Sequence, residues 1–105
     1  MQFAGKVGLV TGGGSGIGRA TAVLLAKRGG AVVVADVNLA AGAATAGDIR
    51  NAGGRAEAVG CDVTRWEQVQ AAMDHTVKTL GGLDVVVNCA GTMKGHLLEE
   101  TPEAE

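Results

Sequence analysis

VGLVTGGGSGIG, residues 7–18, sets an apolar run, then Thr11, then a glycine cluster that leads straight into a helical pattern. The order reads as strand, tight turn, helix. Gly12, Gly16 and Gly18 let the backbone turn sharply and approach a ligand with no Cβ in the way. The helix that follows aims its unpaired N–H groups and the positive end of its dipole at whatever occupies the bend, which suits a phosphate. The spacing is Gly12-x-x-x-Gly16-x-Gly18, unlike the commoner G-x-G-x-x-G of dinucleotide folds.

Outward from that stretch, apolar runs alternate with helical periods. Segments 7–10, 31–35, 56–59 and 83–87 are short, apolar and bounded by glycine or polar residues, and they read as strands. Their near-continuous apolar character predicts burial on both faces, as in a parallel sheet. A helix is predicted over 17–28, burying Ile17, Ala20, Leu24 and Leu25, exposing Arg19, Lys27 and Arg28, and stopped by Gly29 and Gly30. A second, over 39–51, is alanine-rich and weakened by Gly42 and Gly47, each unfavourable by about 1 kcal/mol. The third is predicted to open on a capping box of Thr64 and Glu67. Trp66, Val69, Met73, Val77 and Leu80 form its apolar stripe, and Gly81 and Gly82 end it. A last helix is expected to begin with Thr101 as N-cap and Pro102 at its first position. Such alternation, with connections this short, predicts a doubly wound α/β sheet.

The bulk properties narrow the function classes. The 105 residues suffice for one domain, and 47 % apolar content opposes disorder. Charged residues are 19 % and the net charge is −2, which argues against a nucleic-acid partner. No apolar run reaches the ~18 residues that span a bilayer, so no membrane partner is expected. The N-terminal MQFAGKVGLV is too soon rich in glycine for a signal peptide, making a cytoplasmic location the expectation. Cys61 and Cys89 are too few and too far apart for a disulfide framework or a metal site, and read as small buried hydrophobes.

Candidate ligand contacts fall after each strand. Asp36 stands 18 residues beyond Gly18, where an acid accepts hydrogen bonds from an adenosine ribose. Its carboxylate would repel a 2′-phosphate, and no Arg or Lys stands at position 14, at position 15 or directly after Asp36. NAD is therefore predicted over NADP. Asp62 is placed to accept from an adenine amino group, with Val63 covering the ring; a plain turn aspartate is the alternative. Asn88, Ala90 and Gly91 leave the fourth strand, and Asn88 can either tie neighbouring loops together or touch a ribose. His96 and Cys89 are poor catalytic candidates, because neither has an identifiable activating partner.

Taken together, TGGGSGIG at residues 11–18, Asp36, Cys61-Asp62-Val63 and Asn88-Cys89-Ala90-Gly91 resemble the short-chain dehydrogenase/reductase family across essentially the whole chain. Cys89 replaces the asparagine usual at that place. The resemblance implies a Rossmann-like sheet of order 3-2-1-4 over residues 1–105. It also implies a pyrophosphate wrapped by Gly12, Ser15, Gly16, Ile17 and Gly18, and hydride transfer between the dinucleotide and an alcohol or ketone. Asn88, Ala90 and Gly91 would serve the nicotinamide-side ribose. The family's acid/base pair is a tyrosine with a lysine four residues on, and this chain has no tyrosine. The expectation is a dinucleotide-binding portion without its catalytic half, inactive alone, whose fourth strand is an edge open to self-association. Two alternatives stand beside it: a non-catalytic nucleotide-binding module that pairs with a full-length relative, and a fold binding S-adenosylmethionine. Three strand spacings would separate Cys61 from Cys89, about 14 Å, too far for a disulfide.

Overall fold

The computed structural model describes residues 3–89. The elements are β1 (Val7–Thr11), α1 (Gly16–Lys27), β2 (Ala31–Asp36), α2 (Leu39–Asn51), β3 (Arg55–Gly60), α3 (Trp66–Leu80) and β4 (Val85–Asn88). All strands pair in parallel, in the order β3-β2-β1-β4. The chain steps outward from β1 to β3, then returns across β1 to lay down β4.

That reversal divides the helices between the two faces. Val10, Val32 and Val34 pack with Ala22 and Leu25 of α1 and with Ala46 and Ile49 of α2. Val7, Leu9, Ala31, Val33 and Ala35 pack instead with Val69, Ala72 and Leu80 of α3. Successive strand side chains alternate faces, so one run of valines feeds two cores. The doubly wound sheet expected from sequence is the one that forms. The helix expected from Thr101 lies outside the described residues.

Five local expectations need correction. The near-continuous burial holds for β1 and β2, but β3 exposes Arg55, Glu57 and Gly60 because it is an edge strand. β4 begins at Val85, not residue 83. Ahead of it, Asp84 extends the ladder with its side chain: Val7 N–H donates to Asp84 Oδ2 at 2.8 Å, and Asp84 N–H donates to the Val7 carbonyl at 2.8 Å.

On α1 the buried residues are Gly18, Ala22 and Leu25, while Ile17 is 79 % exposed, Leu24 50 % exposed and Ala20 exposed. The small residues face inward because α1 starts hard against the Gly12 turn. On α3, Val69, Ala72, Thr76 and Leu80 are buried, Trp66 and Met73 are half-buried, and Val77 faces outward. The Thr64–Glu67 capping box does not form. The N-cap is Arg65, with no side-chain cap, and the Thr64 hydroxyl donates to Asp62 instead.

Candidate functional site: a cleft at the carboxyl rim

In an open α/β sheet the ligand crevice lies outside the carboxyl ends of the strands, where strand order reverses. Here that crevice is a cleft of about 240 Å³ lined by Gly12, Ser15, Asp36, Val37, Cys61, Val63 and Cys89. One or more residues arrive from the end of each strand.

The β1–α1 turn is built around its glycines. Gly12 has φ +69° and Gly16 φ +56°, left-handed values that an L side chain resists. The Gly12 N–H donates to the Ala35 carbonyl at 2.7 Å, which holds the turn onto β2. A Cβ on Gly18 would lie 1.9 Å from the Gly12 carbonyl oxygen, so only glycine lets α1 start this close.

The N-terminus of α1 is left unanswered by the protein. Ser15 is its N-cap but makes no side-chain cap bond, and the first turn carries no acid. At α2, by contrast, the Ala41 N–H donates to Asn38 Oδ1 at 3.1 Å, and α3 carries Glu67 in its first turn. The unpaired amides and dipole of α1 therefore point at the rim with the capacity to hold an anion.

Asp36, at the end of β2, is anchored through both oxygens. Gly14 N–H donates to Oδ2 at 2.9 Å and Asn38 N–H donates to Oδ1 at 2.9 Å. A carboxylate offers about four acceptor positions, so roughly two stay open toward the cleft. Beyond it, Val37 is 76 % exposed, an apolar side chain at the mouth.

Asn88 joins two strand ends. The fully buried Thr11 hydroxyl donates to Asn88 Oδ1 at 3.0 Å, and Cys89 N–H donates to the Thr11 carbonyl at 3.0 Å. These bonds stitch the ends of β1 and β4 across the switch point.

Asp62 is anchored in the turn after β3. The Thr64 hydroxyl and backbone N–H donate to its Oδ1 at 2.6 and 3.0 Å, while its own N–H donates to Gln68 Oε1 at 2.8 Å. The Thr64 hydroxyl, then the Thr64 amide, hold the Asp62 carboxyl below the ordinary carboxylate range, with the Arg65 charge adding to them. A carboxyl lowered by folding contributes stability above its unfolded pKa, and that contribution is lost as pH falls through the lower folded value. Thr64→Val should therefore move the Asp62 titration upward, as read by carboxyl-carbon chemical shifts against pH. Burial, and then the nearby Asp62 charge, push the Cys61 thiol up, so it stays protonated and unreactive.

Of the residues singled out from sequence, Gly12, Ser15, Asp36 and Val63 line the cleft. Gly16 and Ile17 sit exposed on the first turn of α1, and Gly18 is buried beneath it. Asp62 and Asn88 are held by neighbouring threonines, and Ala90 and Gly91 lie outside the described residues. Sequence reasoning missed Val37, Cys61 and Cys89 as lining residues and Gly14 as a partner of Asp36. Their common signal is position, since each follows the end of a strand. A larger hollow, about 510 Å³, opens at the opposite rim beside Lys6, Lys27, Gly30 and Arg55. The C-terminal ends of α1 and α2 lie there, where the dipole disfavours an anion.

Residues 6–105 match the family model described as short chain dehydrogenase. The chain belongs to the short-chain dehydrogenase family. A short-chain reductase of Streptomyces niveus is 49 % identical over 93 residues, which are 89 % of this chain and 36 % of that protein. An uncharacterized oxidoreductase of Thermotoga maritima is 40 % identical over 105 residues, 100 % of this chain and 41 % of that protein.

Among solved short-chain dehydrogenases, a 7α-hydroxysteroid dehydrogenase complexed with NADH and 7-oxo glycochenodeoxycholic acid superposes with a TM-score of 0.80. It is 37 % identical, and the match covers 82 % of this chain and 34 % of that one. A dehydrogenase/reductase of Sinorhizobium meliloti gives a TM-score of 0.78 at 46 % identity, covering 81 % and 34 %. The chain thus spans well under half the length of these relatives. Membership of the family sets aside the S-adenosylmethionine alternative.

Proposed function

We propose that the cleft receives a nicotinamide dinucleotide, NAD in preference to NADP. In this reading residues 1–105 are the cofactor-binding portion of an oxidoreductase that moves hydride between NAD and an alcohol or ketone. The observation that carries it is the first turn of α1, which has neither a side-chain cap nor an acid and opens onto the cleft at the switch point. The solved relative complexed with NADH supports the choice of ligand.

Each chain residue then has a binding task. The backbone at Gly12, Ser15, Gly16, Ile17 and Gly18 holds the pyrophosphate through amide N–H groups. The open positions on the Asp36 carboxylate accept the ribose hydroxyls. Val37 and Val63 offer apolar surface to the adenine, with the Asp62 carboxylate as acceptor for its amino group. Asn88, Ala90 and Gly91 would serve the nicotinamide-side ribose. The bound nicotinamide supplies the hydride chemistry, while these residues bind and orient it. The sequence holds no tyrosine, so the family's tyrosine-lysine proton transfer has no residue here to perform it, and the chain alone should not turn over an alcohol.

A cytoplasmic setting accords with two cysteines in the free thiol form. Among the described residues no helix is long and apolar enough to cross a membrane. A second reading, a non-catalytic module that self-associates or pairs with a longer relative, is favoured by β4, whose outer edge has no strand partner among the described residues.

The test is Asp36→Ala. Hydrogen bonds to a charged group contribute about 1.5–3 kcal/mol each, so NADH affinity should fall roughly 10- to 100-fold. NADPH affinity should hold or improve, because the repulsion of its extra phosphate is gone. Titration of both nucleotides by fluorescence decides, and equal losses for the two would remove the ribose role.

A further inference from the structure

We propose that the hollow at the amino ends of the strands is a second anion site, which takes a compact phosphate-bearing polyanion of the pyrophosphate kind. It neither needs nor alters the reading of the cleft at the opposite rim. The hollow measures about 510 Å³, and Lys6, Lys27 and Arg55 line it. Among the described residues no Asp or Glu joins them there. In a chain of net charge −2, three of the nine cationic side chains thus share one concavity.

All three are exposed, and their charges are available. The salt bridges among the described residues join Arg19 to Asp48 and Arg65 to Glu67, and neither involves this rim. Asp84 precedes β4 at the same rim, but it does not line the hollow, and its Oδ2 accepts from Val7 N–H at 2.8 Å. Cations gathered around one concavity repel one another, and a bound polyanion removes that cost.

The helix ends oppose an anion, and magnitudes decide the balance. Each helix C-terminus carries the equivalent of about −0.5 charge, so the three helices ending here oppose with about −1.5 against the three full positive charges. Two of the ends are also capped by backbone amides. At α1, Gly30 N–H donates to the Leu25 carbonyl and Gly29 N–H to the Ala26 carbonyl, both at 3.0 Å. At α2, Gly54 N–H donates to the Ile49 carbonyl at 2.9 Å and Gly53 N–H to the Arg50 carbonyl at 3.0 Å. Those bonds occupy carbonyls that would otherwise face the ligand. The field in the hollow is therefore positive.

The cations come from three separate elements at fixed backbone positions. Lys6 precedes β1, and its carbonyl accepts from Ala31 N–H at 2.9 Å. Arg55 opens β3 in register with Ala31, and Lys27 is the last residue of α1. The Arg55 guanidinium offers a planar fork for two phosphate oxygens, while the two lysines supply point charges. Donors converging from three elements suit the many oxygens of a diphosphate better than the two of a carboxylate.

The experiment titrates the 15N-labelled 105-residue chain with inorganic pyrophosphate, and with citrate, at constant ionic strength. Pyrophosphate is expected to shift the amides of Gly29, Gly30, Gly53 and Gly54 saturably, and citrate to bind these more weakly. Shifts at residues 12–18 report the proposed cleft separately, so either site can fail without the other. An exposed ion pair is worth up to about fivefold in affinity, so Lys6→Gln and Arg55→Gln should each weaken the hollow by about that factor. Adding Lys27→Gln to both should abolish saturation there while circular dichroism keeps its helical signal. If the triple variant fails to fold, the two single variants carry the test. Pyrophosphate shifts confined to residues 12–18, or citrate binding the hollow as tightly, overturn the inference. So does a lower thermal midpoint in Lys27→Gln with pyrophosphate affinity unchanged in all three single variants, which would mark these cations as partners of the helix ends alone.

Discussion

Gly18→Ala is expected to weaken NADH binding by about 100-fold and to lower the thermal midpoint in the same variant. The added methyl would sit 1.9 Å from the Gly12 carbonyl oxygen and 2.6 Å from its carbon, both backbone atoms that cannot rotate away. Relief requires the start of α1 and the Gly12 turn to separate by an ångström or more. Overpacking of this kind destabilises by about 1–3 kcal/mol. Binding suffers more, because the displaced elements are those offering amides to the pyrophosphate. Losing two such charge-assisted bonds accounts for the hundredfold fall. Gly47→Ala is the control, since a Cβ there meets nothing within 4 Å. It should leave binding unchanged and favour α2 by about 1 kcal/mol. Wild-type affinity in Gly18→Ala would mean that the turn is not the anion site.

Leu9→Ala should give the largest loss of stability without touching the cleft lining. Leu9 is 0 % exposed, at the centre of the sheet, and packs in the cluster with Val33, Val69 and Leu80 on the α3 side. Replacing a buried leucine by alanine costs about 2–5 kcal/mol, the transferred methyl groups plus the cavity left behind. A small domain has only about 5–15 kcal/mol in total. The thermal midpoint should therefore drop by roughly 10–30 °C, measured by circular dichroism. Val77→Ala, on the outward face of the same helix layer, should move it by far less. A Leu9→Ala midpoint within a few degrees of wild type would contradict the assigned two-sided core.

The architecture was legible because its signals are redundant. Four apolar runs with three helical patterns between them leave few arrangements, and α2 falls on the predicted residues 39–51 despite two internal glycines. What failed was finer. Periodicity assigns a buried face by apolar content, yet α1 turns Gly18 and Ala22 inward and leaves Ile17 outside. Its orientation is dictated by backbone approach at Gly12, a constraint no hydropathy pattern carries. Thr64 looked like an N-cap because a capping box is a spacing rule. In the fold its hydroxyl is drawn to Asp62, two residues earlier, and the cap passes to Arg65. Asn88 carried two readings in sequence, and the bond it accepts from Thr11, which joins the ends of β1 and β4, is one that spacing alone does not reveal. The glycines of the cradle were visible from their spacing, but the service of Gly14 to Asp36 depends on a contact between residues 22 apart.

The stitch between Thr11 and Asn88 joins positions 77 apart in a chain of 105. β1 thus becomes an interior strand only after β4 has emerged from the ribosome. Until then its flank toward β4 stays bare, and the far wall of the cleft, at Cys89, does not exist. A nascent chain must therefore extend past β4 before it can grip a nucleotide, and the ligand, once available, would reward completion of the sheet rather than its beginning.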